Sequence, residues 1–179
     1  MNALFLDCDG VLIKDQNYLR DPDLITVNQE IIPLLHEFQK KQYGLFVLTN
    51  QAGIAKGKMT IKEYLQVKKG ILRKFKEHGI IFTDWRYCPF HPEGNVEEFK
   101  LESNWRKPGR GMIDDLLSLY DIDLDHSLMI GDRESDQLDD CGKMKFYLAR
   151  GQYGIETVKP QTLVFENLST LVNYLLEHY

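Results

Sequence analysis

The chain has 179 residues, of which 43% are hydrophobic and 27% are charged, a composition typical of a globular protein and not of a disordered one. Its formal net charge of −5 argues against a general nucleic-acid-binding surface, which would show an excess of basic residues. No segment approaches the roughly 20 apolar residues of a membrane-spanning helix, and the first residues lack the charged start of a signal peptide.

Cysteine usage indicates a reducing compartment. The three cysteines, Cys8, Cys88 and Cys141, are odd in number and share no CxxC spacing, so a disulfide framework is not expected. Together with the composition, this pattern predicts a single domain over residues 1–179. We expect a cytoplasmic monomer without a nucleic-acid or membrane partner.

Short hydrophobic segments alternate with longer segments of helical periodicity, the pattern of a parallel sheet covered on both faces. Strands are predicted at 3–7 (ALFLD), 44–50 (GLFVLTN), 127–132 (SLMIGD) and 145–149 (KFYLA), with weaker candidates at 80–88 (IIFTDWRYC) and 162–166 (TLVFE). The predicted fold is α/β, a Rossmann-like three-layer sandwich with a mostly parallel sheet. No stretch between these predicted strands is long enough to hold a large cap domain.

Helices are predicted at 30–41, 60–78, 111–121 and 167–179. Thr60 and Glu63 have the spacing of a capping box at the start of the second helix. Four of its residues are expected to lie on or near the buried stripe: Leu65, Ile71, Leu72 and Phe75. Two stretches, 10–27 and 88–108, show no clear period, and their length in a compact domain favours a functional role.

Polar residues follow three of the predicted strands. They are Asp7 and Asp9 after the first, Thr49, Asn50 and Gln51 at the end of the second, and Asp132 and Asp136 after SLMIG. Ligands of open parallel sheets bind beyond the carboxyl ends of the strands, so these groups are expected to converge. Carboxylates brought together repel one another unless a proton or cation intervenes, and an all-oxygen site suits Mg²⁺.

The segments FLDCDGVL, LTNQ, the lysine of RKP and IGDRESD resemble the four motifs of the haloacid dehalogenase (HAD) superfamily of phosphohydrolases. This resemblance implies that Asp7 is the nucleophile and Asp9 the general acid and base. It also implies that Asp7, the main-chain carbonyl of Asp9 and Asp132 hold magnesium, with Asp136 in support. Cys8, between the two aspartates, is expected to point to the opposite side and to pack in the core.

TNQAGIAKGKMT, YCPFHPEGNVEEF and RKPGRGM resemble the D-glycero-D-manno-heptose 1,7-bisphosphate phosphatases, which are relatives of the histidinol-phosphate phosphatases. By this resemblance Thr49 and Lys107 bind the transferring phosphoryl group. The residues assigned to substrate binding are Asp15, Gln16, Asn17, Tyr18, Asn50, Gln51, Arg106 and Arg133.

The loop at 88–108 departs from the heptose bisphosphatase pattern. That family carries a structural zinc site written CxH followed by CxC before RKP. Here Cys88 occupies the first position, but the other three hold Phe90, Ser103 and Trp105, and His91 lies one residue beyond its place. Because structural zinc needs four ligands, no zinc site is predicted. Burial of Phe90, Phe99 and Trp105 is expected to fasten the loop instead.

The residues and the resemblance together predict a magnesium-dependent phosphomonoesterase that acts on a phosphorylated sugar. The resemblance indicates D-glycero-D-manno-heptose 1,7-bisphosphate, which would lose its 7-phosphate. Two alternatives remain open at this point: a histidinol-phosphate phosphatase with the same machinery, and a non-catalytic phosphosugar-binding protein that has kept the fold. None of the five histidines is required by the mechanism, and each is expected to be a surface or internally hydrogen-bonded residue.

Overall fold

Six strands form one sheet in the order β3-β2-β1-β4-β5-β6, and every neighbouring pair is parallel in this computed structural model, which describes residues 1–179. The strands are β1 (Ala3–Leu6), β2 (Gly44–Asn50), β3 (Asp84–Cys88), β4 (Leu128–Gly131), β5 (Lys145–Ala149) and β6 (Thr162–Phe165). The predicted α/β fold is confirmed, and the two weaker strand candidates are the edge strands.

The helices are α1 (Ile32–Lys40), α2 (Ala52–Ala55), α3 (Ile61–Glu77), α4 (Gly111–Leu117) and α5 (Leu168–His178). The predicted capping box is present, because Thr60 accepts from the Glu63 backbone and the Glu63 side chain accepts from the Thr60 backbone. None of the helices combines the length and the apolar character needed to cross a membrane.

Two hydrophobic clusters cover the two faces of the sheet, because successive side chains of a strand point to opposite faces. Leu4 and Leu6 of β1 join the larger cluster, with buried residues of α1, α3 and α5. Ala3 and Phe5 join the second, to which α4 contributes. The result is the three-layer arrangement, in which α2 follows the carboxyl end of β2 directly.

Two details of the helix predictions are wrong. Helix α4 ends at Leu117 and does not reach residue 121. The Ser118 hydroxyl donates to the Asp115 carbonyl at 2.6 Å, a local bond that competes with continuation of the helix. Leu65 of α3 is 39% exposed, because the buried stripe instead follows Tyr64, Val67, Ile71 and Phe75. The short helix α2 was not predicted.

Candidate active site

Three carboxylates meet where β1 and β4 lie side by side. Asp7 directly follows β1, and Asp132 directly follows β4. In the strand order the chain proceeds from β1 to β2 and β3 on one side and then to β4 on the other, so this is the switch point at which open α/β sheets bind ligands. Oxygens of Asp7, Asp132 and Asp136 lie within 4.8 Å of one another, and all three residues are buried.

Lys107 is the buried cation of this cluster. Its Nζ donates to Asp7 Oδ1 at 2.8 Å, to Asp136 Oδ1 at 2.6 Å and to the Leu48 carbonyl at 2.7 Å, so all three of its donors are used. Burial alone would lower the pKa of Lys107, but the charges of Asp136 and Asp7 raise it above its ordinary value. One ammonium against three carboxylates leaves a surplus of two negative charges when all are ionised.

Asp132 is the carboxylate of this cluster whose negative charge is least compensated by the protein. Both of its carboxylate oxygens are buried without a hydrogen-bond partner, and Arg133 Nε is 3.8 Å from Oδ1. Burial, with the charges of Asp7 and Asp136, raises the pKa of Asp132 to about 8. Burial likewise raises the pKa of Asp7 to about 7, against the opposing effect of Lys107. At neutral pH these groups need a proton or a cation, and the all-oxygen, doubly negative cluster fits Mg²⁺.

Glycines make room for these carboxylates. A Cβ at Gly10 would lie 2.2 Å from Asp132 Oδ2, and Gly10 has a φ of +85°, which favours glycine. A Cβ at Gly131 would lie 2.2 Å from Asp136 Oδ2. The glycine of the first motif is therefore required both by the backbone and by the position of Asp132.

Asp136 organises the turn that follows β4. Its Oδ2 accepts from the backbone N–H groups of Asp132 at 3.1 Å and Arg133 at 3.0 Å, while its Oδ1 is bonded to Lys107. The side-chain contacts of Asp136 thus fix Lys107 and the backbone of Asp132 and Arg133, a geometry that fits the supporting role expected from the sequence.

Gln51 joins Thr49 to Asp9. Its Nε2 donates to Asp9 Oδ2 at 2.9 Å and to Thr49 Oγ1 at 3.0 Å. Because the Thr49 oxygen accepts this bond, its own hydroxyl proton is free to be donated elsewhere. The side chain of Asp9 lies outside the group of three carboxylates, and burial together with the charge of Asp15 raises its pKa.

A cavity of about 170 Å³ opens beside these groups. Among the residues assigned from the sequence, it is lined by Asp7, Asp9, Asp15, Asn17, Tyr18, Thr49, Asn50, Gln51, Arg106, Lys107 and Arg133. Gln16 does not line it, since its amide donates within its own loop, to the Leu24 carbonyl at 2.9 Å and the Thr26 hydroxyl at 3.3 Å.

At one side of the cavity, Asp15 bonds to residues of two other loops, Arg133 and Tyr153. Its Oδ2 accepts from Arg133 Nη2 at 2.8 Å and from the Tyr153 hydroxyl at 3.1 Å. The Arg133 guanidinium also lies 3.7 Å from the centre of the Tyr153 ring. Sequence analysis missed Tyr153, although its position shortly after β5 was an available signal, because residues that follow parallel strands converge.

The cavity also has a cationic end, where Lys56 and Arg106 lie near the neutral ring of His91. Arg106 Nη1 is buried and has no hydrogen-bond partner. His91 Nδ1 accepts from the Glu93 backbone N–H at 3.1 Å, which leaves the proton of the neutral ring on Nε2. Burial and the charges of Arg106 and Lys56 lower the pKa of His91 and favour that neutral form. Its place in the cavity was not foreseen from the sequence.

Three aromatic side chains of the loop at 88–108 pack against the body of the protein, although they are only partly buried and not buried as predicted. Phe90 and Trp105 pack against the cluster on the α4 face, and Phe99 packs against the small cluster of α2 and α3. The rings of Phe90 and Phe99 are 6.2 Å apart, centre to centre. Cys88 is buried with its thiol 3.8 Å from the Phe90 carbonyl, and Cys8 is buried in the core as expected. The absence of zinc stays a prediction.

Comparison with known proteins places this geometry in a family. A family model described as polynucleotide kinase 3 phosphatase matches residues 2–161. The D-glycero-alpha-D-manno-heptose-1,7-bisphosphate 7-phosphatase of Photorhabdus laumondii is 36% identical over 136 residues, which cover 76% of this chain and 74% of that protein. The D-glycero-beta-D-manno-heptose-1,7-bisphosphate 7-phosphatase of Escherichia coli K12 is 34% identical over 134 residues, covering 75% and 70%.

Solved structures show the same fold. A HAD-like phosphatase from Mesorhizobium loti has a TM-score of 0.87 at 26% identity, covering 99% of this chain and 85% of that one. The D,D-heptose 1,7-bisphosphate phosphatase of B. bronchiseptica, complexed with magnesium and phosphate, has a TM-score of 0.79 at 22% identity, with both chains fully covered. The chain therefore belongs to the polynucleotide kinase 3 phosphatase family of HAD-like phosphatases, and among its relatives are the heptose 1,7-bisphosphate 7-phosphatases.

Proposed function

We propose that this protein is a magnesium-dependent phosphatase that removes the 7-phosphate of D-glycero-D-manno-heptose 1,7-bisphosphate. The observation that carries the chemistry is the convergence of Asp7, Asp132 and Asp136 within 4.8 Å, with both oxygens of Asp132 unpartnered. The substrate assignment is supported by the names of relatives that are 34 to 36% identical over about three quarters of this chain.

In the first half-reaction, a carboxylate oxygen of Asp7 forms a bond to phosphorus and the bond from phosphorus to the sugar oxygen breaks. The departing alkoxide takes the proton of Asp9, whose raised pKa favours the protonated form that this step needs. The product is an aspartyl phosphate on Asp7 and the free sugar hydroxyl. Gln51 holds the Asp9 carboxyl in place through its bond to Oδ2.

In the second half-reaction, Asp9 takes a proton from water while the water oxygen attacks phosphorus. The bond between phosphorus and Asp7 breaks, which restores the carboxylate and releases inorganic phosphate. Thr49 and Lys107 would bind the phosphoryl oxygens, and Lys107 must release one of its three present acceptors to do so. When bound at Asp7, the Asp9 carbonyl and Asp132, magnesium would neutralise the surplus charge between nucleophile and phosphate.

The cationic end of the cavity supports a substrate with a second anionic group. Lys56 and Arg106 line the same cavity as Asp7, and Arg106 Nη1 is a buried donor without an acceptor. A buried guanidinium donor left unpaired is costly, and a second phosphate would satisfy it. We infer that the phosphate that is not transferred binds Arg106, with Lys56 and the His91 Nε2–H as neighbours.

The test is a phosphate-release assay on the purified protein with four esters, with magnesium or with EDTA. The esters are the heptose 1,7-bisphosphate, the heptose 7-phosphate, histidinol phosphate and an oligonucleotide with a 3′-phosphate. The expected order of kcat/KM places the bisphosphate first, with no release in EDTA. Preference for histidinol phosphate or for the oligonucleotide would replace the substrate assignment and leave the chemistry standing.

Asp7→Asn separates catalysis from folding in the same assay. The amide cannot attack phosphorus, so release should fall to background while the protein still shows a cooperative urea unfolding transition in EDTA. Release at the wild-type rate from this variant would refute the nucleophile assignment. No release from any ester by the wild-type protein with magnesium would favour the non-catalytic alternative.

A further inference from the structure

We propose that the side chain of Asn50, a residue that lines the cavity, positions Lys107 and makes no substrate contact of its own. The sequence motif assigns it to substrate binding, but its amide is engaged on both sides by the protein. The proposal rests on the proposed function to the extent that Lys107 serves phosphoryl transfer. Its geometric content, the placement of the Lys107 ammonium against Asp7, does not depend on which ester is hydrolysed.

Both ends of the Asn50 amide bond to the main chain of one residue. Its Oδ1 accepts from the Lys107 N–H at 2.9 Å, and its Nδ2 donates to the Lys107 carbonyl at 3.1 Å. This two-point contact fixes Lys107 in translation and in rotation, which a single hydrogen bond cannot do. The contact uses one of the two donors and one of the two lone pairs of the carbonyl oxygen, which is half of the hydrogen-bonding capacity of the amide.

Strand β2 is the rigid reference for this contact. Asn50 is its last residue, paired with Cys88 of β3. Two residues earlier in the same strand, the Leu48 carbonyl accepts from Lys107 Nζ at 2.7 Å. Lys107 is therefore held to β2 at its backbone by Asn50 and at its ammonium by Leu48, and the position of the ammonium follows from the sheet.

Lys107 depends on such a contact because of where it lies in the chain. It is near the end of the long loop at 88–108, which has little regular structure of its own. The next residue is Pro108, which has no N–H to donate. The Lys107 side chain is nevertheless 1% exposed and must meet Asp7 and Asp136 at 2.8 and 2.6 Å. A loop residue held to those distances needs its backbone fixed.

The effect on catalysis should be one of rate and not of binding. Displacement of a catalytic group by about 1 Å can cost on the order of a hundredfold in rate. For Asn50→Ala we expect kcat to fall by roughly ten- to a hundredfold with KM changed by less than about twofold, because no substrate contact is lost. A tenfold rise in KM with unchanged kcat would instead show that Asn50 binds the substrate and would overturn the proposal.

A double-mutant cycle tests whether the effect passes through Lys107. The four proteins are the wild type, Asn50→Ala, Lys107→Ala and the double variant. If Asn50 only positions Lys107, the Asn50→Ala change should alter kcat by less than about twofold once Lys107 is absent. An equal fall in both backgrounds would show an independent role and would refute the proposal.

A crystal structure of Asn50→Ala supplies a readout that needs no activity. The proposal requires the separation of Lys107 Nζ and Asp7 Oδ1, now 2.8 Å, to exceed a hydrogen-bond distance in the variant or the ammonium to lose its ordered position. An unchanged 2.8 Å contact refutes it, whether or not the protein hydrolyses any ester. Failure of the proposed function would appear separately, as a wild-type protein that releases no phosphate.

Two further variants guard against simple loss of folding. Asn50→Asp keeps the acceptor for the Lys107 N–H, but it replaces the donor with a charged oxygen that faces the Lys107 carbonyl. It should keep a cooperative urea transition and show a kcat below that of the wild type. Gln39→Ala is the matched control, since the Gln39 amide makes the same two-point contact, with the Gly79 carbonyl at 3.1 Å and the Ile81 N–H at 2.7 Å, outside the cavity. It should lower the urea midpoint and leave kcat unchanged.

Discussion

Replacing Asp132 with asparagine should stabilise the metal-free protein while it abolishes phosphate release. The wild-type carboxylate is 1% exposed, and neither of its oxygens has a hydrogen-bond partner. It also lies close to two other carboxylates, Asp7 and Asp136. Asparagine has nearly the same shape, carries no charge, and offers an N–H₂ group to those neighbours. The substitution therefore removes an unfavourable buried charge together with a ligand for magnesium.

The magnitude follows from the pKa of Asp132, which is raised from 3.8 to about 8. The folded state therefore binds a proton that the unfolded state lacks, and stability falls as the pH rises from about 4 to about 8. At pH 7, about three pH units above the ordinary pKa, this carboxylate lowers the free energy of unfolding by 1.36 kcal/mol per unit, or roughly 4 kcal/mol. The asparagine amide would be incompletely hydrogen-bonded, which reduces the stability gained by the substitution by about 1 to 2 kcal/mol. A net gain of about 2 kcal/mol remains at pH 7, whereas at pH 4 the incomplete hydrogen bonding outweighs the charge effect and the variant is about 1 kcal/mol less stable than the wild type.

Urea unfolding in EDTA at pH 5 and pH 8, followed by tryptophan fluorescence, measures this difference. With a slope near 2 kcal/mol/M, the midpoint of Asp132→Asn should rise by about 1 to 2 M at pH 8, where the gain is larger than at pH 7. The matched control is Asp136→Asn, which breaks the contact with Lys107 and should destabilise the protein by about 3 kcal/mol or more. A metal-free Asp132→Asn that is less stable than the wild type at pH 8 would contradict the account of the cluster.

Three other perturbations test separate parts of the structure. Gly10→Ala should destabilise the protein by about 2 to 4 kcal/mol in urea unfolding and remove activity, because its φ of +85° is strained for alanine and its Cβ would meet Asp132. A stable, active variant would show that this turn accepts a side chain. Arg106→Gln should raise KM for the bisphosphate at least tenfold in steady-state assays and change KM for the 7-phosphate monoester little. Equal effects on both esters would show that Arg106 does not bind the second phosphate. Thr60→Ala should cost about 1 kcal/mol through loss of the α3 capping box, with kcat unchanged, and a fall in kcat would mean that the start of α3 affects the site.

The sheet and the set of chemical groups were predictable because their signals are local. The segments ALFL and LMIG are hydrophobic runs with little polar content, which indicates strands buried on both faces. Since the carboxyl ends of parallel strands share one edge of the sheet, Asp7 and Asp132 were expected to meet although they are 125 positions apart in number.

Other features were missed or wrong because they depend on contacts that no local pattern encodes. Leu65 has a hydrophobic side chain, but it lies one residue off the stripe that starts at Tyr64 and is exposed. His91 was expected to be incidental, yet folding of its loop places it in the cavity. Gln16 was assigned to substrate binding by its motif, whereas its amide donates to the Leu24 carbonyl of its own loop and the residue does not line the cavity.

The amino-acid sequence by itself determined the α/β sheet, the order of its strand ends and the acidic, hydroxyl and ammonium groups gathered there. Those follow from hydrophobic periodicity and from the shared direction of parallel strands. Only the tertiary structure decided which group holds which: Lys107 against Asp7 and Asp136, Gln51 on Asp9, Asn50 on the Lys107 backbone, and Asp132 left without a partner. Hydrogen bonds between residues distant in the chain are set to tenths of an ångström by packing, and the sequence pattern carries no signal of that precision.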